Sequence, residues 1–183
     1  MIHSLFADHS NVITKVRDTQ QSNIERFAGL CRASLGQGGK ILFMGNGGSA
    51  ADAQHLAAEF VGRFEKERRG LAAIALTTDT SILTAVGNDY GFDRVFSRQI
   101  EALARSGDVV VGISTSGNSP NVVQALMVAK DLGAITIGMT GESGGTMASV
   151  CDLCIQVPSK VTARVQEAHI LIGHIVCALV DKE

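Results

Sequence analysis

The sequence predicts a doubly wound, three-layer α/β fold, and three observations lead there. Five short, continuously apolar runs recur along the chain, amphipathic segments separate them, and 20 glycines against 2 prolines call for many tight strand-to-helix turns. The first 37 residues contain no strand pattern. Val12, Ile13 and Val16, then Ile24, Phe27, Ala28 and Cys31, space out as one or two amphipathic helices lying outside the sheet, a natural arm for packing on another subunit. Residues 38–183 then alternate. Lys40 to Met44 (KILFM) reads as a strand and Ser49 to Arg63 as a helix; Ala72 to Leu76 (AAIAL) is the next strand and Phe92 to Arg105 the next helix. Val109 to Ile113 (VVVGI) precedes a helix at Asn121 to Leu132, and Ala134 to Met139 (AITIGM) precedes a short one at Gly145 to Ser149. Leu153 to Val157 (LCIQV) is the fifth strand, and Ala163 to Val180 closes the chain as a helix. Strands without polar alternation suit a parallel sheet buried on both faces, with ligands at the carboxyl ends of the strands. No internal repeat or linker interrupts the pattern, so residues 1–183 read as a single domain.

Composition excludes several classes. With 16 Lys plus Arg against 18 Asp plus Glu, 45% hydrophobic residues and a mean hydropathy of +0.20, the chain is neither disordered nor a rod. The densest basic run, Lys66 to Arg69, alternates with Glu65 and Glu67 and reads as a solvated turn, so neither a nucleic-acid partner nor a membrane surface is expected. No secretory signal or membrane span is read, and a cytoplasmic location is expected. The four cysteines are then buried thiols. Cys151 and Cys154 have C-x-x-C spacing, but on one continuous strand they face opposite ways, and no zinc knuckle is expected.

Three constellations carry chemistry. Gly45-Asn46-Gly47-Gly48-Ser49 lies between the first strand and a helix, where small residues let backbone amides approach an anion. It nearly matches a dinucleotide fingerprint, but the acid that binds ribose is missing about 20 residues on, so phosphate is favoured over a nucleotide. Ser114, Thr115, Ser116 and Ser119 ring a glycine turn at the next helix start and make a cradle for a phosphate monoester, with Ser119 or Asn121 as alternative helix caps. No Walker lysine follows. His55 and Glu59, four apart on one helix face, can hold a metal together or act as acid and base. The last helix adds Gln166, Glu167, His169 and His174 to an apolar stretch, where His169 suits a core histidine held by one hydrogen bond better than His174 does.

Four segments, GNGGSAADAQHLAAEF (45–60), AVGNDYGF (85–92), GISTSGNSPNV (112–122) and VQEAHILIGH (165–174), make the chain from about Gly38 onward resemble the phosphoheptose isomerases, the sedoheptulose 7-phosphate isomerases of the sugar isomerase (SIS) class. The resemblance implies a flavodoxin-like, five-stranded parallel sheet flanked by helices, and a homotetramer with active sites at subunit interfaces. It implies conversion of sedoheptulose 7-phosphate to D-glycero-D-manno-heptose 7-phosphate, a precursor of lipopolysaccharide or other surface glycans. Ser114, Thr115, Ser116 and Ser119 would hold the phosphate with Asn46, Gly47, Gly48 and Ser49, while Asn88, Asp89 and Gln166 would meet the sugar. Glu59 would be the base that moves a proton between C1 and C2, and His174 its acid/base partner at the oxygens. The resemblance further implies one zinc ion per subunit, held by His55, Glu59, Gln166 and His174. Gln166 and His174 lie about 12 Å apart along a straight helix, so one ion meets both only if side chains converge, the helix deviates or two subunits contribute. Some relatives carry an acid where this chain has Ala163. A non-catalytic SIS protein that binds a replication initiator is the main rival; the resemblance implies that such proteins lack the catalytic glutamate and last-helix histidine, both present here. A phosphosugar-sensing regulator would need a DNA-binding module, and a glucosamine-type SIS enzyme a second SIS or glutaminase domain.

Overall fold

A computed structural model describes residues 1–182. Its five strands, β1 (Ile41–Gly45), β2 (Ala73–Ala75), β3 (Val109–Ile113), β4 (Ile135–Thr140) and β5 (Leu153–Gln156), form one sheet in the order β2-β1-β3-β4-β5. All neighbours pair in parallel, with Ile41 opposite both Ala73 and Val109, Val109 opposite Ile135, and Ile137 opposite Leu153. Reversal of strand order between β1 and β3 opens a crevice at their carboxyl ends, where such sheets bind ligands. The residues of β1 and β3 are all buried, as their unbroken apolar runs require. The edge strand β2 departs from that expectation: Ile74 points outward at 40% exposure.

Helices α1 (Ile2–Gly36), α2 (Gly48–Val61) and α7 (Thr162–Asp181) cover one face. Their core joins Phe27, Phe43, Leu56, Phe60, Ile137 and Ile172. On the other face α4 (Ser97–Leu103), α5 (Pro120–Asp131) and the short α6 (Met147–Val150) pack around Leu42, Met44, Ile100, Val110 and Leu126. The N-terminal arm is one helix. Its C-terminal half is core of its own protomer, with Phe27, Ala28 and Cys31 at 0–1% exposure, whereas Ile2, Leu5 and Phe6 stand out in solvent. Helix α7 is long and apolar enough to cross a membrane by length and composition, yet it packs along α1 and α2.

Four sequence expectations are corrected. The expected helix at 92–105 is a 3-10 turn (Phe92–Arg94) followed by α4, and the sequence missed α3 (Thr80–Tyr90) before it. Helix α3 has no fully buried residue, only Leu83 and Val86 resting half-buried on the core, and it begins where the Ile82 amide donates to the Asp79 carboxylate at 2.9 Å. Cys151 is not on the fifth strand but terminates α6, so the opposite-face argument fails: both sulfurs lie 3.1–3.3 Å from where a Cβ on Gly138 would stand. Burial pushes both thiols up, Cys151 to about 12. In the run expected to be a solvated turn, Arg68 turns inward, its side chain only 18% exposed.

Candidate functional site

The two anion-friendly turns meet at the crevice. Gly45 ends β1 where a Cβ would lie 2.8 Å from the Ser49 carbonyl oxygen and 2.9 Å from that of Ile113, so only glycine lets β1, β3 and the start of α2 come so close. Gly47 precedes α2 with φ of +57°, and Ser49 is buried at 4% exposure. Asn46 and Asn121 each donate a side-chain amide hydrogen to the other's carbonyl oxygen at 2.9 Å, which clasps the β1–α2 turn to the N-terminus of α5. Sequence reading had Asn121 only as a possible cap. Its isolated signal, one Asn at a helix start, says nothing of a partner 75 positions away.

In the second turn Ser114 Oγ lies 2.8 Å from Ser119 Oγ and 3.3 Å from Ser116 Oγ, so three hydroxyls converge. Ser116 Oγ also accepts from the Asn118 amide at 3.2 Å, and Thr115 is half-buried beside them. Ser119 stands at the α5 N-cap position, but its side chain makes no capping bond; it is spent on Ser114 instead. Gly117, at φ of +68°, lies hard against the carbonyl of Gly144, and the Asn118 side-chain Oδ1 accepts from the Thr146 backbone amide at 2.8 Å. The hydroxyl turn is thereby fixed to the β4–α6 connection. With the dipole of α5 behind it, this arrangement has the chemistry to cradle an anion.

Helices α2 and α7 bring His55, Glu59 and His174 together, with donor atoms all within 4.8 Å of one another. His55 Nε2 lies 3.1 Å from Glu59 Oε1 and 3.3 Å from His174 Nε2, and the ring of Phe64 stacks on His174 at 5.3 Å. Two imidazole nitrogens on one tetrahedral zinc at about 2.0–2.1 Å stand about 3.3 Å apart, so the spacing and the N₂O donor set fit that ion with a position left open. The Gln166 Nε2 lies 2.5 Å from where a Cβ on Gly48 would stand, at the start of α2. Asn88 and Asp89 sit on the exposed end of α3, the Asn88 amide donating to Asp89 at 2.8 Å.

Asp52 was not singled out from the sequence. It lies one turn before His55 on α2 with a carboxylate oxygen buried and unpartnered among the described residues; burial raises its carboxyl, and His55 opposes that rise. His169 is fully buried, with Nε2–H donating to the Thr140 carbonyl at 3.1 Å and Nδ1 without a partner among the described residues. Burial pulls its pKa down to about 4, despite that hydrogen bond. A folded pKa below the unfolded one means the unfolded chain binds the extra proton, so stability declines as pH falls from about 6.5 toward 4. His169→Gln is expected to flatten that part of the unfolding free energy against pH measured by urea denaturation; an unchanged slope would refute the assignment.

Residues 5–141 match the model of the SIS domain family. The chain is 58% identical over 178 residues to the phosphoheptose isomerase of Aliarcobacter butzleri, covering 97% of this chain and 94% of that protein. Among solved structures, a phosphoheptose isomerase from Neisseria gonorrhoeae superposes with a TM-score of 0.95 at 47% identity, covering 100% of this chain and 97% of that one. One from Francisella tularensis gives 0.96 at 38% identity, with the same coverage.

Proposed function

This chain belongs to the SIS domain family, and from that premise we propose that it interconverts sedoheptulose 7-phosphate and D-glycero-D-manno-heptose 7-phosphate. The activity is an aldose–ketose isomerisation of a sugar phosphate, as the names of relatives at 58–62% identity indicate. The observation that carries the assignment to this site is the convergence of His55, Glu59 and His174 from two helices in a fold that also gathers three hydroxyls at a helix start.

In this reading Ser114, Thr115, Ser116 and Ser119, with the turn at Asn46, Gly47, Gly48 and Ser49, bind the phosphate. Asn88, Asp89 and Gln166 bind sugar hydroxyls. Glu59 removes the proton from C1 of the ketose, and the resulting cis-enediol takes it back at C2. His174 carries the compensating proton between the two oxygens, so the step is neutral overall. Zinc held by His55, Glu59 and His174 would supply Lewis-acid polarisation of the substrate oxygens. Gln166, whose side chain reaches Gly48 at the start of α2, would complete that set.

A homotetramer with interface sites fits the surfaces left open. Helix α3 carries Asn88 and Asp89 yet buries no residue fully in its own protomer, and Ile82, Tyr90 and Phe92 are 36–61% exposed. The groove between α1 and α7 is lined by Ile13, Val16, Leu171 and Ile175. A cytoplasmic location suits a sugar-phosphate substrate and an α7 packed within the protein. The product would feed surface glycan synthesis.

The test is conversion of sedoheptulose 7-phosphate by the purified protein, followed by NMR with and without added zinc. Turnover establishes the reading; a folded tetramer that turns nothing over in either condition moves it to a non-catalytic SIS protein. Ser116→Ala is expected to raise KM about 10-fold with kcat within about 3-fold, since a ground-state phosphate contact is uniform binding. An unchanged KM would remove Ser116 from the cradle.

A further inference from the structure

The segment between α2 and β2 folds back onto a buried ion pair. Arg68 Nε donates to Asp181 Oδ1 at 2.6 Å, with the Asp181 side chain 2% exposed. The other Asp181 oxygen accepts from the Glu65 amide at 3.1 Å and the Lys66 amide at 3.4 Å. The guanidinium spends its remaining donors on backbone: Nη2 donates to the Glu59 carbonyl at 3.1 Å, and Nη1 to those of Phe60 at 2.9 Å, Arg69 at 3.2 Å and Gly62 at 3.4 Å. The Glu59 and Phe60 carbonyls belong to the last turn of α2, which has no further turn to bond to. Arg68 therefore completes the end of that helix at the residue whose side chain faces His55.

Asp181 closes the connection on the other side. It is the last residue of α7 and lies seven positions after His174, two turns along the same helix face. One side-chain pair thus ties the end of α2 to the end of α7, the two helices whose facing side chains form the His55–Glu59–His174 group. Asp181 is held below the usual carboxylate range, against its burial, by Arg68 and the two amides, so the pair persists as ions.

We propose that Arg68 and Asp181 are positioning residues for the isomerisation, fixing where the Glu59 carboxylate stands relative to His174. The inference rests on the reading of Glu59 as the base. Neither side chain touches the three donor groups, so they act through the helix ends. Misplacing a reacting group by about 1 Å can cost about 100-fold in rate. A lysine at 68 cannot reproduce a fork that reaches a carboxylate and several carbonyls at once.

The experiment compares Arg68→Lys, Asp181→Asn and the double variant with Glu59→Gln and with Lys66→Ala, whose side chain lies outside the clasp. The clasp variants are expected to lose about 10–100-fold in kcat with KM within about 3-fold, and the double variant to be no slower than the worse single one. Lys66→Ala stays at the wild-type rate. In the metal-free protein the His55 and His174 ring resonances are expected to shift in Asp181→Asn and not in Lys66→Ala, a readout that simple destabilisation would not move. Asp181→Asn keeps the side-chain shape and carries the test if Arg68→Lys does not fold. Folded clasp variants with kcat within about 2-fold of wild type, or unmoved histidine resonances, would overturn the inference. Turnover surviving in Glu59→Gln would instead remove the base assignment, while the histidine resonances would still report whether the clasp sets the site.

Discussion

Glu59→Gln is expected to lower kcat by about 100- to 10,000-fold, the range a positioned general base contributes, while KM and the oligomer stay near wild type. The amide keeps the volume of the carboxylate and can still bond to His55, 3.1 Å away. It cannot accept the C1 proton. NMR of substrate conversion checks the rate, and metal content measured on the same sample separates loss of a base from loss of an ion, because Glu59 also belongs to the group that can hold zinc. A variant turning over near the wild-type rate, with unchanged metal content, would sink the assignment of Glu59.

Gly117→Ala is expected to destabilise the protein by about 2–5 kcal/mol and to cripple phosphate binding as well. Two costs add. The residue holds φ of +68°, a left-handed conformation that charges a side chain about 1–2 kcal/mol. A methyl there would also overlap the Gly144 carbonyl, and forced repacking of this kind costs about 1–3 kcal/mol. Backbone on both sides leaves no flexible side chain to yield. In a chain of this size the loss corresponds to a fall in Tm of about 5–15 °C, measurable by calorimetry. Because the turn carries Ser114, Ser116 and Ser119, KM is expected to rise together with the loss of stability. An alanine variant with wild-type Tm and KM would show that the β4–α6 connection does not fix the cradle.

Much of this architecture was legible because buried parallel strands have no polar face. KILFM, VVVGI and AITIGM could only be interior strands, and the glycine and hydroxyl turns after them mark the ligand end of a doubly wound sheet. The pair His55 and Glu59 was legible for a similar local reason, since residues four apart share a helix face. Helix α3 was overlooked: Leu83 and Val86 rest half-buried on the core, but no residue of it is fully buried and it follows directly on the turn-forming residues Thr77 to Thr80. Arg68 was misread because its neighbours alternate in charge, and nothing local shows that it meets a carboxylate 113 positions later.

Residue order alone therefore determined the layers, the crevice and the chemical kinds of group around it, since these follow from periodicity and turn chemistry within a few residues. Only the tertiary structure decided which groups meet. The packing of α7 on α2 set His174 3.3 Å from His55, brought Gln166 against Gly48 and drew Arg68 onto Asp181, and the approach of α5 joined Asn121 to Asn46. Those contacts depend on helix separation and register, which come from core packing across the whole chain rather than from any stretch of it.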